Sequence, residues 1–330
     1  MFRIILSALA GAVFLVWNAA AEPTMAQVQA SARWSAKLQA PLQKVLQGFE
    51  YIDEYSRIMD QAVSGDLPEA EAHRQITTVT EDLNRRVDDY VAALEALPPH
   101  PMPDHPLGAA MQDIRVQLIG QASLLEDFFG RLDSLSRKAI EGDVDAVDQL
   151  GGEIFRSGAF LVGTDIALLR TQVAALETDN PLRNLNLAAI GHTQFTREVM
   201  LAEATYRFGP SPGFSDGDLD LAATVLADAR REIAHGKRNA ASMRALLIAE
   251  KATPDAPQEL YDTLLAMLDT FNEDWAEMSA AITECEALLE MMIEGDEGAD
   301  AAFDAFLVSS GVLSQNLVDR QLARSQMLAN

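Results

Sequence analysis

The stretch LGAAMQDIRVQLIGQASLLEDFFGRLDSLSRKAIE, from Leu107 to Glu141, carries the pattern that decides the fold. Apolar side chains recur in it every seven residues, and a second apolar row lies between them. The first row is Met111, Leu118, Leu125, Leu132 and Ala139, and the second is Ile114, Phe128 and Leu135. This spacing puts both rows on one face of a long α-helix that packs against antiparallel neighbours at a shallow angle.

The same register returns 153 positions later. The equivalent rows are Leu264, Phe271, Met278, Cys285 and Met292, with Met267, Ala281 and Leu288 between them. Short motifs repeat at the same spacing: IEGD at 140–143 returns at 293–296, and Ser-Gly at 157–158 returns at 310–311. Colinear matches of this kind indicate an internal duplication. They also predict that Cys285 is a small buried apolar residue and not a nucleophile.

Apolar residues recur at spacings of three and four almost throughout the chain, and no run alternates as a strand would. Turn residues divide the pattern into eight predicted helices: Ala26–Ser64, Glu69–Leu97, Leu107–Glu141, Val144–Glu177, Pro181–Phe208, Asp218–Ala252, Pro257–Glu294 and Ala299–Leu328. We therefore predict an all-α protein made of a tandem pair of up-down-up-down four-helix bundles, residues 22–180 and 181–330, that arose by internal duplication.

The N-terminus has a basic start, an apolar segment and an alanine run, as a secretory signal peptide does. We predict a signal peptide over residues 1–21, cleaved after Ala21, and a mature protein in the periplasm or secreted. The segment from Ile4 to Ala21 is also near the shortest length that crosses a bilayer, so an uncleaved membrane anchor stays an alternative. No second apolar stretch of that length is expected.

Composition excludes several function classes. Asp and Glu number 50 against 25 Lys and Arg, and the resulting net charge of −25 disfavours nucleic acid as a partner. The single cysteine excludes an internal disulfide, a thiolate metal cage and a Cys-x-x-Cys-His haem attachment. Because 48% of residues are apolar and only 6% aromatic, the composition is typical of helix cores.

Polar residues in apolar rows are the candidate ligand-binding positions, because burying an unpaired polar group costs free energy. Gln121 interrupts the second row of its helix, and Asp274 is its counterpart in the other half. Gln194 and Arg197 lie on the predicted core stripe of the fifth helix, with His192 and Glu198 beside it.

Each candidate also has a structural explanation. Gln121 and Asp274 fit a hydrogen bond that specifies the bundle, or a partly exposed bundle end. Arg197 fits an internal ion pair, with Asp274 as one possible partner, or a side chain that reaches solvent; its planar guanidinium also suits an anionic ligand such as a carboxylate, nitrate or phosphate.

Known catalytic and metal-binding patterns are missing from the sequence. Helix-bundle di-iron sites need two Glu-x-x-His pairs, whereas only Glu232 and His235 have that spacing, and Ile233 takes the core row between them. His100 and His105 lie in a proline-rich turn, where exposure is expected. No serine-hydrolase elbow, phosphate loop or dinucleotide fingerprint occurs, so we predict no cofactor, no metal site and no catalytic residue.

Leu185-Asn186-Leu187-Ala188, followed by Arg197, resembles the start of the signature helix in ligand-binding portions of bacterial chemoreceptors and nitrate-responsive sensors. The likeness extends only over 185–197, and residues 190–194 replace the centre of that signature, so the chain is not assigned to the family. The resemblance implies binding of a small ligand between helices.

We therefore predict a non-enzymatic exported protein that binds a small ligand or an envelope protein partner between its helices, with sensing as one form of this role. A structural or scaffold protein of the cell envelope is the alternative. A metal-dependent helix-bundle enzyme is a third, less favoured hypothesis.

Overall fold

The computed structural model describes residues 25–47, 50–174, 176, 178–211, 214–254 and 258–329. Within these ranges the chain is all-helical and contains no strand, which confirms the predicted fold class. The predicted signal peptide lies outside the described residues.

Nine α-helices occupy the described ranges: α1 Met25–Gln47, α2 Glu50–Val63, α3 Glu69–Glu95, α4 Pro106–Ile140, α5 Val144–Ala174, α6 Pro181–Phe208, α7 Leu219–Lys251, α8 Gln258–Glu294 and α9 Ala299–Ala329. Within the first predicted helix, Ala26–Ser64, the described residues form α1 and α2, and residues 48–49 lie outside the described residues. The other seven agree with their predicted bounds to within a few residues, because glycine, proline and aspartate mark their ends.

The ends of α4 and α8 show how the repeated IEGD motif acts. Gly142 and Gly295 have φ of 89° and 68°, in the left-handed region that glycine adopts without strain. The next residue closes the helix in both places: Asp143 N donates to Lys138 O and Asp296 N donates to Met291 O, each at 3.0 Å. Both are Schellman-type ends, so one motif stops two helices in the same way.

Consecutive helices are neighbours along most of the chain. The α3 helix packs against α1, α2 and α4, and α4 packs against α5. The α5–α6 and α6–α7 contacts are the most extensive, and α8 touches both α6 and α7. With neighbours on several sides, α6 is the central helix of its half.

The last helix meets the first. The α9 helix packs mainly against α8 and α1. The α5 helix packs mainly against α4 and α6. The fourth helix of each predicted half thus lies against the first helix of the other. The predicted boundary at 180/181 coincides with the α5–α6 connection and stays a prediction.

Side chains of α9 also reach α5 and α6. The rings of Phe306 and Phe195 meet edge-to-face with centroids 5.5 Å apart, and those of Phe303 and Phe155 lie 5.7 Å apart. Phe195, Phe303 and Phe306 are fully buried. These contacts extend the apolar core across both halves.

Within the described residues, the segment Ala299–Arg324 of α9 is long and apolar enough to cross a membrane, by length and composition only. The expectation that no second such segment occurs is therefore wrong by this criterion. Half of its most apolar window is buried inside the fold.

Candidate functional site

A cleft of about 550 Å³ lies between α5, α6 and the segment that precedes α7. The polar side chains in its wall include Thr164 and Arg170 of α5 and Gln194 and Arg197 of α6, and the aromatic ones are Phe160 and Phe214. Two of the four predicted ligand-binding residues, Gln194 and Arg197, therefore line one cavity. Its volume is in the range of small-molecule sites.

Arg197 lies across α5 and is held by a buried carboxylate. Its Nη1 donates to Glu198 Oε1 at 2.5 Å. Glu198 is 3% exposed and also accepts the backbone N–H of Asp218, which precedes α7, at 3.1 Å. The stem of Arg197 contacts α5 at Gly163, where a Cβ would lie 3.5 Å from Cδ and Nε. The guanidinium is thus paired, while the Arg197 side chain is 36% exposed and lines the cleft.

The predicted core stripe of α6 is buried at Leu201 and Ala204 and only partly buried nearer its N-terminus. Leu187, Ile190, Gln194 and Arg197 are all partly exposed, whereas Phe195, Val199 and Met200 are fully buried. The predicted orientation therefore holds for Leu201 and Ala204 but not for the first half of the helix, because α6 has neighbours on several sides and its sequence has little amphipathic contrast. Three residues of this side of α6, Gln194, Arg197 and Leu201, line the cleft.

Gln121 lies behind the cleft wall and contacts one lining residue, Thr164, by a hydrogen bond. It is 8% exposed, and its Nε2 donates to Thr164 Oγ1 at 2.8 Å. It therefore supports a lining residue instead of entering the cleft itself. Its predicted role as a helix-pairing hydrogen bond fits this geometry.

Beside Gln121, an acidic residue that the sequence reasoning missed is fully enclosed. Asp165 is 1% exposed, and within the described residues neither carboxylate oxygen has a hydrogen-bond partner of acceptable geometry. Burial raises the pKa of Asp165 well above its usual value, and the nearby Gln121 amide opposes this shift to a smaller extent. The Tyr90 hydroxyl is also unpartnered, and its pKa is raised by burial and then by the charge of Asp165.

Asp274 belongs to a separate buried network in the other half. It is fully buried and accepts from Arg320 Nε and from Arg324 Nη1, both at 2.5 Å. Arg324 is 1% exposed, and its guanidinium carbon lies 4.4 Å from the centre of the Phe271 ring. The suggested pairing of Asp274 with Arg197 is therefore wrong, because α9 supplies both partners.

A second, smaller recess adjoins the cleft. It has a volume of about 240 Å³, and besides Leu124 and Phe128 of α4 it is lined by the polar side chains Asp127, Arg131 and Ser157. Phe160 and Phe214 border both cavities. Phe160 is 53% exposed, so much of its ring surface is available to an occupant of either cavity.

Two histidines are buried by packing. His100 is 2% exposed, which corrects the expectation of an exposed turn: its Nδ1 accepts the backbone N–H of Met102, and its Nε2 lies 2.8 Å from Ser31 Oγ. Nε2 therefore carries the ring proton and donates to the serine, so His100 does not act as its base. His192 is buried against Phe306, and burial lowers its pKa to about 4.

The sequence interpretations of Cys285 and Ile233 hold in the described structure. Cys285 is fully buried, and burial raises the pKa of its thiol. Ile233 faces the core, whereas His235 is exposed. Among the described residues, no group of three or more His, Cys, Asp and Glu side chains could hold a metal ion.

Comparison with known proteins adds no assignment: no family model, no curated protein and no solved structure matches the chain. A proposal for the function therefore rests on the geometry of the cleft.

Proposed function

We propose that this protein is a non-enzymatic, exported binding protein that holds a small ligand in the cleft between α5 and α6. One observation carries the proposal: Gln194, Arg197 and Thr164 converge on a single cavity of suitable size, and Gln121 supports it from behind. The proposal includes a sensory role, in which ligand binding is the signal.

The chemistry of the cleft favours binding over catalysis. Its described lining contains guanidinium, amide and hydroxyl groups but no Asp, Glu, His, Cys, Lys or Tyr side chain. General acid–base catalysis needs a group that exchanges a proton near the working pH, and guanidinium does not. The lining is suited to recognising a ligand by hydrogen bonds and charge.

Export is part of the proposal and rests on the N-terminal pattern. A basic start, an apolar segment and an alanine run over residues 1–21 support a signal peptide and a periplasmic or secreted location. The acidic balance of the chain argues against nucleic acid as a partner. An envelope protein that recognises the occupied cleft stays a possible partner.

A duplicated pair of four-helix units is the proposed origin of the fold. Besides the matching ends of α4 and α8, two cross-helix contacts support it at the spacing of 153. Gln117 donates to Thr171 at 3.2 Å between α4 and α5, and the equivalent Thr270 accepts from Arg324 at 3.1 Å between α8 and α9.

The second contact joins α3 to α4. Arg137 of α4 donates to Thr77 of α3 and to Asp133 of α4. The residues equivalent to Thr77 and Asp133 in the other half are Arg230 of α7 and Glu286 of α8, which form an ion pair with each other.

The test blocks the cleft without disturbing the core. Ala167 lines the cleft and is exposed on α5, so Ala167→Phe fills the cavity; Ala227→Phe, at an exposed position on α7, is the matched control. A library of small metabolites is screened by thermal shift against the three proteins. We expect compounds that stabilise the wild type and the control but not Ala167→Phe. Compounds that stabilise all three equally, or none at all, contradict the proposed function.

A further inference from the structure

The cleft concentrates positive charge in a strongly acidic protein. Arg170 and Arg197 both line it, and its described lining contains no Asp or Glu. The chain as a whole carries a net charge of −25, so its surface repels anions in general. A local pair of arginines facing one cavity therefore points to an anionic ligand.

The charge count sets how many negative charges the ligand carries. Arg170 and Arg197 contribute two positive charges, and the buried Glu198 bonded to Arg197 removes one. The remaining single charge matches a monoanion. Arg197 is also held in place by Glu198 and by its contact with Gly163, which reduces the conformational entropy lost when it binds a ligand.

Guanidinium geometry favours a carboxylate. Its parallel N–H groups match the two oxygens of a carboxylate, and such charge-assisted bonds are stronger than neutral ones. Arg197 uses Nη1 for Glu198, and within the described residues its other nitrogens make no hydrogen bond to the protein. Thr164 and Gln194 add polar groups near the same wall.

The two phenylalanines of the cleft offer a surface for an apolar group. Phe160 and Phe214 line both the arginine-lined cleft and the recess of about 240 Å³, where Leu124 and Phe128 lie beside the polar side chains Asp127, Arg131 and Ser157. A ligand whose anionic end lies at Arg197 can place an apolar body against Phe160. Covering a half-exposed phenylalanine ring removes apolar surface from water, which favours binding.

We infer that the ligand is an organic monocarboxylate with an apolar body, bound at its carboxylate by Arg197 and Arg170 and along its body by Phe160 and Phe214. This inference rests on the proposed function of the cleft.

The experiment measures binding of matched anionic and neutral probes by calorimetry. Benzoate, 2-naphthoate and octanoate are each compared with the corresponding amide, because the amide keeps the shape and loses the charge. We expect at least one carboxylate to bind about tenfold or more tightly than its amide, because hydrogen bonds to a charged group are stronger than those to a neutral one. Arg197→Gln and Arg170→Gln should each remove most of that preference, whereas Arg238→Gln, at an exposed position on α7, should not.

The Ala167→Phe variant separates the two proposals. If carboxylates and amides bind equally and Ala167→Phe abolishes both, the cleft binds ligands but the inference about charge is overturned. Loss of carboxylate binding in Ala167→Phe with no change in either arginine variant also overturns it. If no probe binds the wild type, the inference is overturned, and the metabolite screen decides the proposed function separately. If Ala167→Phe binds the probes like the wild type, both the inference and the proposed function are overturned. Thermal melting of each variant verifies that it is folded.

Discussion

Two buried aspartates of this protein lie in different surroundings. Asp274 has two guanidinium partners in a buried network, whereas among the described residues neither carboxylate oxygen of Asp165 has a hydrogen-bond partner. An ionised carboxylate is costly to bury without a partner, so Asp165 keeps its proton to a higher pH. The position of each residue relative to α4, α5, α8 and α9 decides the difference.

Asp165→Asn should change how stability depends on pH. Burial raises the folded pKa above the unfolded one, so between these values the unfolded chain has lost a proton that the folded chain keeps. The free energy of unfolding of the wild type therefore falls as pH rises through this window, by about 1.4 kcal/mol per pH unit for one such group. The amide introduced by Asp165→Asn has no proton to lose, so the variant should lose less stability and exceed the wild type at pH 7.

Urea denaturation from pH 4 to pH 8 measures this difference. Asp148→Asn, at an exposed position on the same helix, is the control and should follow the wild type. Parallel stability curves for Asp165→Asn and the wild type would contradict an abnormal Asp165.

Asp274→Asn should destabilise the fold strongly. The change leaves Arg324, 1% exposed, without its charged partner, and breaking a buried ion pair from one side costs about 3–5 kcal/mol. Asp269→Asn on the same helix removes only a surface pair with Arg244, which is worth about 0–1 kcal/mol. Equal losses for the two variants in chemical denaturation would show that the buried network adds nothing.

At the scale of helices, the repeated apolar rows predicted the long elements well. Starts and ends followed from local chemistry, as at Asn180, whose Oδ1 accepts from Leu182 N at 2.9 Å to cap α6. The fully buried side of α6 could not be predicted in this way, because a helix buried on several sides carries no clear polar face.

The α7–α8 crossing depends on a small residue. A Cβ at Gly236 would lie 2.2 Å from the fully buried ring of Trp275, which cannot move aside easily. Gly236→Ala should therefore destabilise the protein by about 1–3 kcal/mol. Gly120→Ala, where nothing lies within 4 Å, should instead stabilise α4 by up to about 1 kcal/mol. Thermal melting of both variants tests the sign, and a stabilised Gly236→Ala would mean that these helices separate readily.

At the scale of the whole molecule, α5 and α9 connect the two halves. The α9 helix packs against α8 and α1, and α5 packs against α4 and α6, so each half covers apolar surface of the other. Independent bundles would instead bury their cores separately.

The two halves should therefore unfold together. We expect the full chain from residue 25 to melt in one cooperative transition, and residues 25–180 alone to lose helical content or to associate, because the face of α5 that packs against α6 becomes exposed. Circular dichroism and analytical ultracentrifugation measure this. Two separate transitions, or a monomeric fragment as stable as the full chain, would support two autonomous domains.

The candidate site was partly visible in the sequence. Gln194 and Arg197 stood out as polar residues in an apolar row, whereas Phe160 and Arg170 on α5 carried no signal that linked them to α6. Asp165 did carry a signal in the sequence, since it interrupts the mainly apolar run from Ala159 to Leu169. Likewise Arg320 and Arg324, one turn apart on α9, were visible as a pair but not as the partners of Asp274.

The sequence by itself determined the helices, their ends and the repeat of register, because hydrophobic periodicity and capping are local properties of the chain. Tertiary structure alone decided which helices meet, and hence that α6 and α5 enclose a cleft while α9 neutralises Asp274. Contacts between distant helices depend on shape and burial over the whole molecule, which no local pattern encodes.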